Sequence, residues 1–241
     1  MKKSITTLIM ASTLCLSATS AFAEGAFDKE NFSANIALTS NYLFRGITLS
    51  NGDGAVSGGF DWGYEGIYAG IWASSIDAVE TESFEVDYYG GYASEINGIS
   101  YSLDAIYYDY PGEEGSPTAD LAYYEFGGSL GYTFAASMDP TVGISVMHSP
   151  DFYAETGSAT AIEGSFDVSL PAEFGLGFYY GNQDLDEKYY AIDGYNYYGV
   201  TLSKSVGIFD LTVGYSDTDS DGDTFQGSKT DEVYFTVGAS I

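Results

Sequence analysis

Through most of this chain hydrophobic and polar positions alternate one by one. Across 32–44, Phe32, Ala34, Ile36, Leu38, Tyr42 and Phe44 share one parity, and Ser33, Asn35, Ala37, Thr39 and Asn41 share the other. Near 56–64, Val56, Phe60, Trp62 and Tyr64 oppose Ser57, Gly59, Asp61 and Gly63. The pattern returns near 67–74, 84–93, 99–110, 124–134, 142–146, 162–170, 174–181, 195–203, 209–216 and 233–241, which makes about twelve segments. A period of two is that of a strand with one apolar face. A helical period would scatter the same residues around a cylinder, and the 30 glycines argue further against helices.

The breaks between segments alternate in length. Short ones fall at 65–66, 95–98, 135–140, 171–172 and 204–207; longer ones fall at 45–55, 75–83, 111–119, 149–160, 182–194 and 217–230. Short turns at one end and long loops at the other are the signature of an outer-membrane barrel. The expected fold is therefore all-β: a 12-stranded antiparallel transmembrane barrel with short periplasmic turns, longer acidic extracellular loops and both termini on the periplasmic side.

Charge sharpens that picture. The chain carries 35 acidic residues against 7 basic ones. Such a balance excludes a nucleic-acid footprint and favours cations as partners. The acids fall in the long loops (Asp77, Glu80, Glu82, Glu113, Glu114, Asp184, Asp186, Glu187) or on polar strand faces, and almost none on an apolar face. That segregation is what a bilayer demands, because a lipid-facing charge costs a few kcal/mol. A soluble β-sandwich also alternates, but its polar face favours Lys, Thr and Glu over Gly, Ser and Tyr.

The first 23 residues read as a cleaved Sec-type signal peptide: Lys2 and Lys3, an apolar stretch, then Ala21-Phe22-Ala23. The barrel domain is then 24–241 and the location the bacterial outer membrane. Cys15, the one cysteine, lies in the leader, so the mature chain has no thiol chemistry. No later window holds about 18 consecutive apolar residues, as a transmembrane helix requires.

The stretch SNYLFRGIT (40–48), followed by GDGAVSGGFDWGYEGIYAGIWASSID (52–77), resembles the opening of the TorF-like porin family, and YYDYPG (107–112) fits as well. The resemblance is strongest in the first two hairpins. It implies an outer-membrane, pore-type barrel and brings no catalytic or binding residues with it. Ile241 departs from the terminal aromatic usual in such barrels.

Four sets of residues are candidates for chemistry. Arg45, the sole arginine, closes the first segment on the lumen parity; Asp61, Glu85, Asp87, Asp104, Glu125, Glu163 and Asp167 share that inward parity. They form either a charged constriction, which sets ion selectivity, or ion pairs that plug the lumen. DTDSDGD, with Asp217, Asp219, Asp221 and Asp223, resembles the start of a calcium loop, but Ser228 stands where the bidentate Glu belongs. A solvated acidic loop is the plainer reading, with weakly bound Ca2+ as the alternative. Trp62, Trp72 and the tyrosine pairs 88–89, 107–108, 179–180, 189–190 and 197–198 are candidates for interfacial girdles. His148, near Ser145 and Ser149, raises a Ser/His hydrolase, but both serines have the opposite strand parity and the geometry is wrong.

The sequence thus points to a channel without enzymatic chemistry or cofactor, passing small hydrophilic solutes and preferring cations. The alternative is a non-conducting barrel whose acidic loops bind cations or a surface partner. The solute, the oligomeric state and whether the lumen is open or plugged are not written in the sequence.

Overall fold

A computed structural model describes residues 25–79, 82–111 and 120–241. The expected leader with Cys15, the loop acids Glu80, Glu113 and Glu114, and Gly112 of the YYDYPG stretch lie outside these residues. The strands are β1 (Phe32–Thr39), β2 (Leu43–Phe44), β3 (Ile47–Thr48), β4 (Ala55–Tyr64), β5 (Ile67–Val79), β6 (Glu82–Ile96), β7 (Ile99–Asp109), β8 (Tyr123–Thr133), β9 (Thr141–Ser149), β10 (Ala159–Leu170), β11 (Phe174–Leu185), β12 (Gly194–Val206), β13 (Phe209–Thr218) and β14 (Glu232–Ser240). One short helix, α1 (Ser220–Gln226), precedes the last strand.

Twelve of these strands, β1 and β4 to β14, pair antiparallel with their sequence neighbours, and β14 returns to pair with β1, which closes the barrel. The seam is in register from Asn35 opposite Ser240 to Thr39 opposite Thr236. Ile241 and Ala34 exchange backbone hydrogen bonds of 3.0 and 3.1 Å beside it. Closure leaves no free edge, so the wall's backbone groups are paired within it.

The two ends of the barrel differ as the break lengths predict, except at 75–83, where the expected long loop is mostly strand. Glu65-Gly66 and Asn97-Gly98 turn with both residues at positive φ (50° and 86°, 53° and 82°). These are two-residue hairpins of the primed type, whose twist matches that of the flanking strands. At the opposite end, β5 and β6 run on to Val79 and Glu82, further than the alternation alone marks.

Alternation sorts the side chains. Ile36, Leu38, Phe60, Leu103, Phe126, Leu130, Ile144, Phe166, Val213 and Val233 stand exposed on the outer surface, which is an apolar belt around the whole wall. The tyrosine pairs split: Tyr88, Tyr107, Tyr180 and Tyr198 are exposed on the outside, whereas Tyr89, Tyr108 and Tyr197 are buried inside. Only one member of each strand pair faces outward, as a girdle would require, because successive strand residues point to opposite faces. Tyr189 and Tyr190 lie in the loop after β11. Trp62 belongs to the outer set, stacked on Phe27 at 6.2 Å. Trp72 does not: it pairs in register with inward Asp87 and meets Tyr42 edge-on at 5.5 Å inside the barrel.

The inner wall explains the glycine content. Inward tyrosines lie flat on inward glycines of the neighbouring strand: Tyr89 over Gly70, Tyr68 over Gly91, Tyr197 over Gly181, Tyr179 over Gly199. A Cβ on Gly181 would stand 2.2 Å from Tyr197 Cζ. Gly181→Ala therefore forces the ring off the wall, at about 1–3 kcal/mol. A lowered urea midpoint for the refolded barrel is the expected result, and an unchanged midpoint would count against this packing.

Candidate functional site: a hairpin inside an acid-lined barrel

The segment between β1 and β4 does not project outward. It folds back as the β2–β3 hairpin and enters the barrel. The turn is Arg45-Gly46, with φ of 49° and 81°, again a primed two-residue turn. Gly46 is required twice over. Its φ is left-handed, and a Cβ there would sit 2.6 Å from Thr218 Cγ2 and 2.9 Å from Tyr197 Cβ. Buried Asn41 ties the base: its Oδ1 accepts from Thr48 Oγ1 at 2.5 Å and from Ser50 Oγ at 3.0 Å. The first strand accordingly stops at Thr39, and Arg45 is not the last residue of that strand but the tip of an inserted hairpin. Parity could not place it, because Ser40-Asn41 breaks the pleat.

The hairpin meets walls on several sides. Arg45 reaches β8, where Nη1 and Nη2 donate to Glu125 Oε1 and Oε2 at 2.7 Å each, and β11, where Nη1 donates to Gln183 Oε1 at 2.8 Å. Tyr108 donates to Glu125 Oε2 at 3.1 Å. Tyr42 donates to Glu85 Oε1 at 2.7 Å. Phe44 meets Tyr108 edge-on at 5.9 Å, and the Arg45 guanidinium lies 4.6 Å from the Phe44 ring. Ile47 joins an apolar cluster with Tyr110, Tyr123, Phe152, Tyr195 and Tyr197. The loop-side half of the barrel is thus a packed core built on the hairpin. Gln183, Tyr42 and Asn41 escape sequence reading. Only the Arg-Gly dipeptide flanked by Leu43-Phe44 and Ile47-Thr48 signals the hairpin.

The seven carboxylates singled out from the sequence all face the lumen. Glu85, Asp87, Glu125 and Glu163 are buried, and Arg45 is the only buried cation among the described residues. Asp61 accepts from Tyr89 and Asp104 from Tyr68; Ser102 donates to Asp104 Oδ2 at 2.7 Å. Beside Arg45 lies a cavity of about 40 Å³, lined among others by Tyr68, Tyr89, Asp104, Glu163 and Tyr197.

The Arg45–Glu125 pair has side chains only 3% and 1% exposed. Removing one partner of such a pair leaves the other charge buried alone, at about 3–5 kcal/mol, whereas replacing both with apolar residues is often neutral. Arg45→Met is expected to lower unfolding free energy in detergent by that amount. The double variant Arg45→Met/Glu125→Met is expected to recover most of it. A double variant no better than the single one would show that the pair is not what holds the hairpin.

The acidic run at 217–223 starts a helix. Asp219 caps α1, its Oδ1 accepting from the N–H of Asp221 and Gly222 at 3.1 Å. Asp217 accepts from Tyr198 and Tyr215 at 2.9 and 3.0 Å, Asp223 pairs with Lys229, and Asp221 is exposed. The four carboxylates serve different partners. No group of three or more His, Cys, Asp or Glu is arranged to hold a metal among the described residues. The helix closes over the hairpin: Phe225 packs against Tyr190 and Tyr195 with tilted rings at 5.4 and 5.3 Å, and Gln226 Oε1 accepts from Thr48 N at 3.1 Å. Partial burial pulls the Asp219 carboxyl upward, but hydrogen bonds from the Asn196 side chain and from the backbone of Asn196, Gly222 and Asp221 outweigh it, and the net shift is below the usual 3.8. A lowered folded value means that this stabilisation is present above 3.8 and is lost as pH falls through the folded value. Asp219→Ala should cost the helix about 1 kcal/mol. Amide exchange across 220–226 should rise in that variant at pH 7 by about fivefold, and the difference from wild type should shrink near pH 3.

His148 and the two serines are not brought together. His148 is exposed on the outside with Nδ1 3.0 Å from Thr160 Oγ1, while Ser145 faces the cavity and Ser149 is buried.

No curated protein matches the chain in sequence. Among solved structures it resembles the KdgM porin (TM-score 0.56, 8% identity, covering 86% of this chain and 97% of that one). A second structure is the KdgM porin in complex with disordered oligogalacturonate (0.54, 9%, 87% and 96%). The NanC porin is similar to the same degree (0.56, 12%, 87% and 98%). At such identities the likeness is one of fold, and these comparisons do not carry the TorF-like name. Residues 23–240 match the family described as bacterial protein of unknown function, Gcw_chp, and the chain belongs to that family.

Proposed function

We propose that this protein is an outer-membrane channel of porin type for small hydrophilic solutes, with a preference for cations. The observation that carries the reading is the division of the wall: a continuous apolar belt outside and carboxylates inside a closed ring of twelve strands. An exposed apolar band of this extent has no place in water, and strands of 8 to 15 residues suit a tilted crossing of lipid. Lipid is then the partner of the outer face, and an exported chain assembled in the outer membrane is its natural setting. Inside, rings of side-chain charge select ions by sign. Here Asp61, Glu85, Asp87, Asp104, Glu163 and Asp167 face the lumen besides Glu125. In this reading the hairpin sets the narrowest point and Arg45 is neutralised by Glu125. No step of the function asks for bond-making chemistry or a cofactor.

A second reading rests on the same hairpin. Its apolar packing fills the loop-side half of the barrel, as a non-conducting barrel with surface loops as its working part would have it.

Planar-bilayer recording separates the two. Small unitary conductance with a reversal potential on the cation side in a KCl gradient is expected. Deleting 42–49 and closing the gap with a short Gly-Ser link should raise conductance severalfold. Absence of current in both proteins, or anion preference in either, would sink the channel reading.

A further inference from the structure

The cavity beside the hairpin tip has an acceptor without a donor. Glu163 is 7% exposed and lines that cavity. Its Oε2 is buried with no hydrogen-bond partner. A buried carboxylate oxygen left bare is costly, so the position calls for a positive or proton-donating guest. Asp104 faces the same space, with Ser145 opposite Glu163 on the adjacent strand and the rings of Tyr68, Tyr89 and Tyr197 around it. Four residues further along β10, towards the short-turn end, Asp167 Oδ2 is also buried without a partner.

The guest's class follows from volume, charge and donors. The cavity has room for a few waters, and so for a small ion with its residual hydration. Divalent cations want six or more oxygens and several carboxylates; two carboxylates face the cavity, and the Arg45 guanidinium shares it. A monovalent cation tolerates that field, and tyrosine faces add favourable contact with potassium or ammonium.

We propose that Glu163 and Asp104, walled by Tyr68, Tyr89 and Tyr197, form a binding site for one monovalent cation of potassium or ammonium size beneath the hairpin. The inference rests on the channel reading for the ion's route in, and Asp167 then marks the next station towards the short-turn mouth. Occupancy is a property of the folded barrel and can be read without current.

The test is thermal unfolding in detergent, with potassium chloride replaced by N-methyl-D-glucamine chloride at constant ionic strength. Ligand binding to the folded state raises Tm. Potassium is expected to raise that of the wild type by about 2 °C or more. Glu163→Gln should lose the potassium-specific rise. Ser145→Lys, which places a tethered ammonium beside Glu163, should unfold at or above the wild-type temperature without responding to potassium. Equal wild-type temperatures in the two salts, or a full potassium response in Glu163→Gln, would overturn the site. Conductance without the thermal response overturns the site and leaves the channel; the thermal response without conductance leaves the site and removes the channel.

Discussion

A closed antiparallel wall one residue thick has no interior of its own. The ladder from β1 through β4 to β14 and back pairs the backbone of the wall within itself, so all remaining demands fall on side chains that alternate between two faces. The outer face is solved by a belt of exposed Ile, Leu, Val, Phe and Tyr. The inner face encloses a space that twelve strands leave too wide for their own side chains to fill. Its contents follow from that constraint. Tyrosines lie flat on glycines to thicken the wall, and the loop after β1 is drawn in to occupy the loop-side half.

The inserted hairpin faces a difficult electrostatic setting. Four buried carboxylates surround it, and Arg45 is the one buried cation among the described residues. A lysine could not take its place. The guanidinium meets both oxygens of Glu125, spends a further N–H on Gln183 and lies against the Phe44 ring, a planar fork geometry that an ammonium lacks. Arg45 thereby both fixes the depth of the hairpin and removes Glu125 from the count of free lumen charge. The Asp219 cap and Phe225 hold α1 across the hairpin from the loop side, so the insertion is braced from above as well as from across the barrel.

How far this was legible in the sequence depends on the range of the interaction. Strand number, facing and the inward set of acids are consequences of period two, a local property, and the alternation of Phe60 with Asp61 or Phe166 with Asp167 carries them directly. Arg45 shows where locality ends. Its parity is that of the first segment, yet the Ser40-Asn41 break and the turn at Arg45-Gly46 take it out of the wall and set it against residues 80 and 138 positions away. Trp72 looks like a girdle tryptophan by type and is an inward residue by register, which only the pairing with Asp87 reveals. The 217–223 run was open to two readings because Asp spaced two apart suits a cation loop and a helix start alike; the capping of α1 by Asp219 is decided by how β12 presents Asn196 to it.

The balance of charge inside the barrel ties the plug to the proposed channel. With Glu125 matched by Arg45, the carboxylates of Glu85, Asp87 and Glu163 remain buried without a cation of the protein's own. Glu85 is quieted by the hydroxyl of Tyr42, whereas Asp87 Oδ1 and Glu163 Oε2 have no donor. Desolvation makes such groups expensive, and the cost falls only by taking up protons or mobile cations. A protein selected for stability alone would have replaced them with apolar residues of the same volume. Their presence beside an apolar core around Ile47 and Phe152 fits the proposed channel, in which part of the positive charge would be supplied from solution. In the proposed channel the plug and the acids would act as one device: the hairpin would narrow the path until ions must shed water, and the unpaired carboxylates would offset that cost for cations.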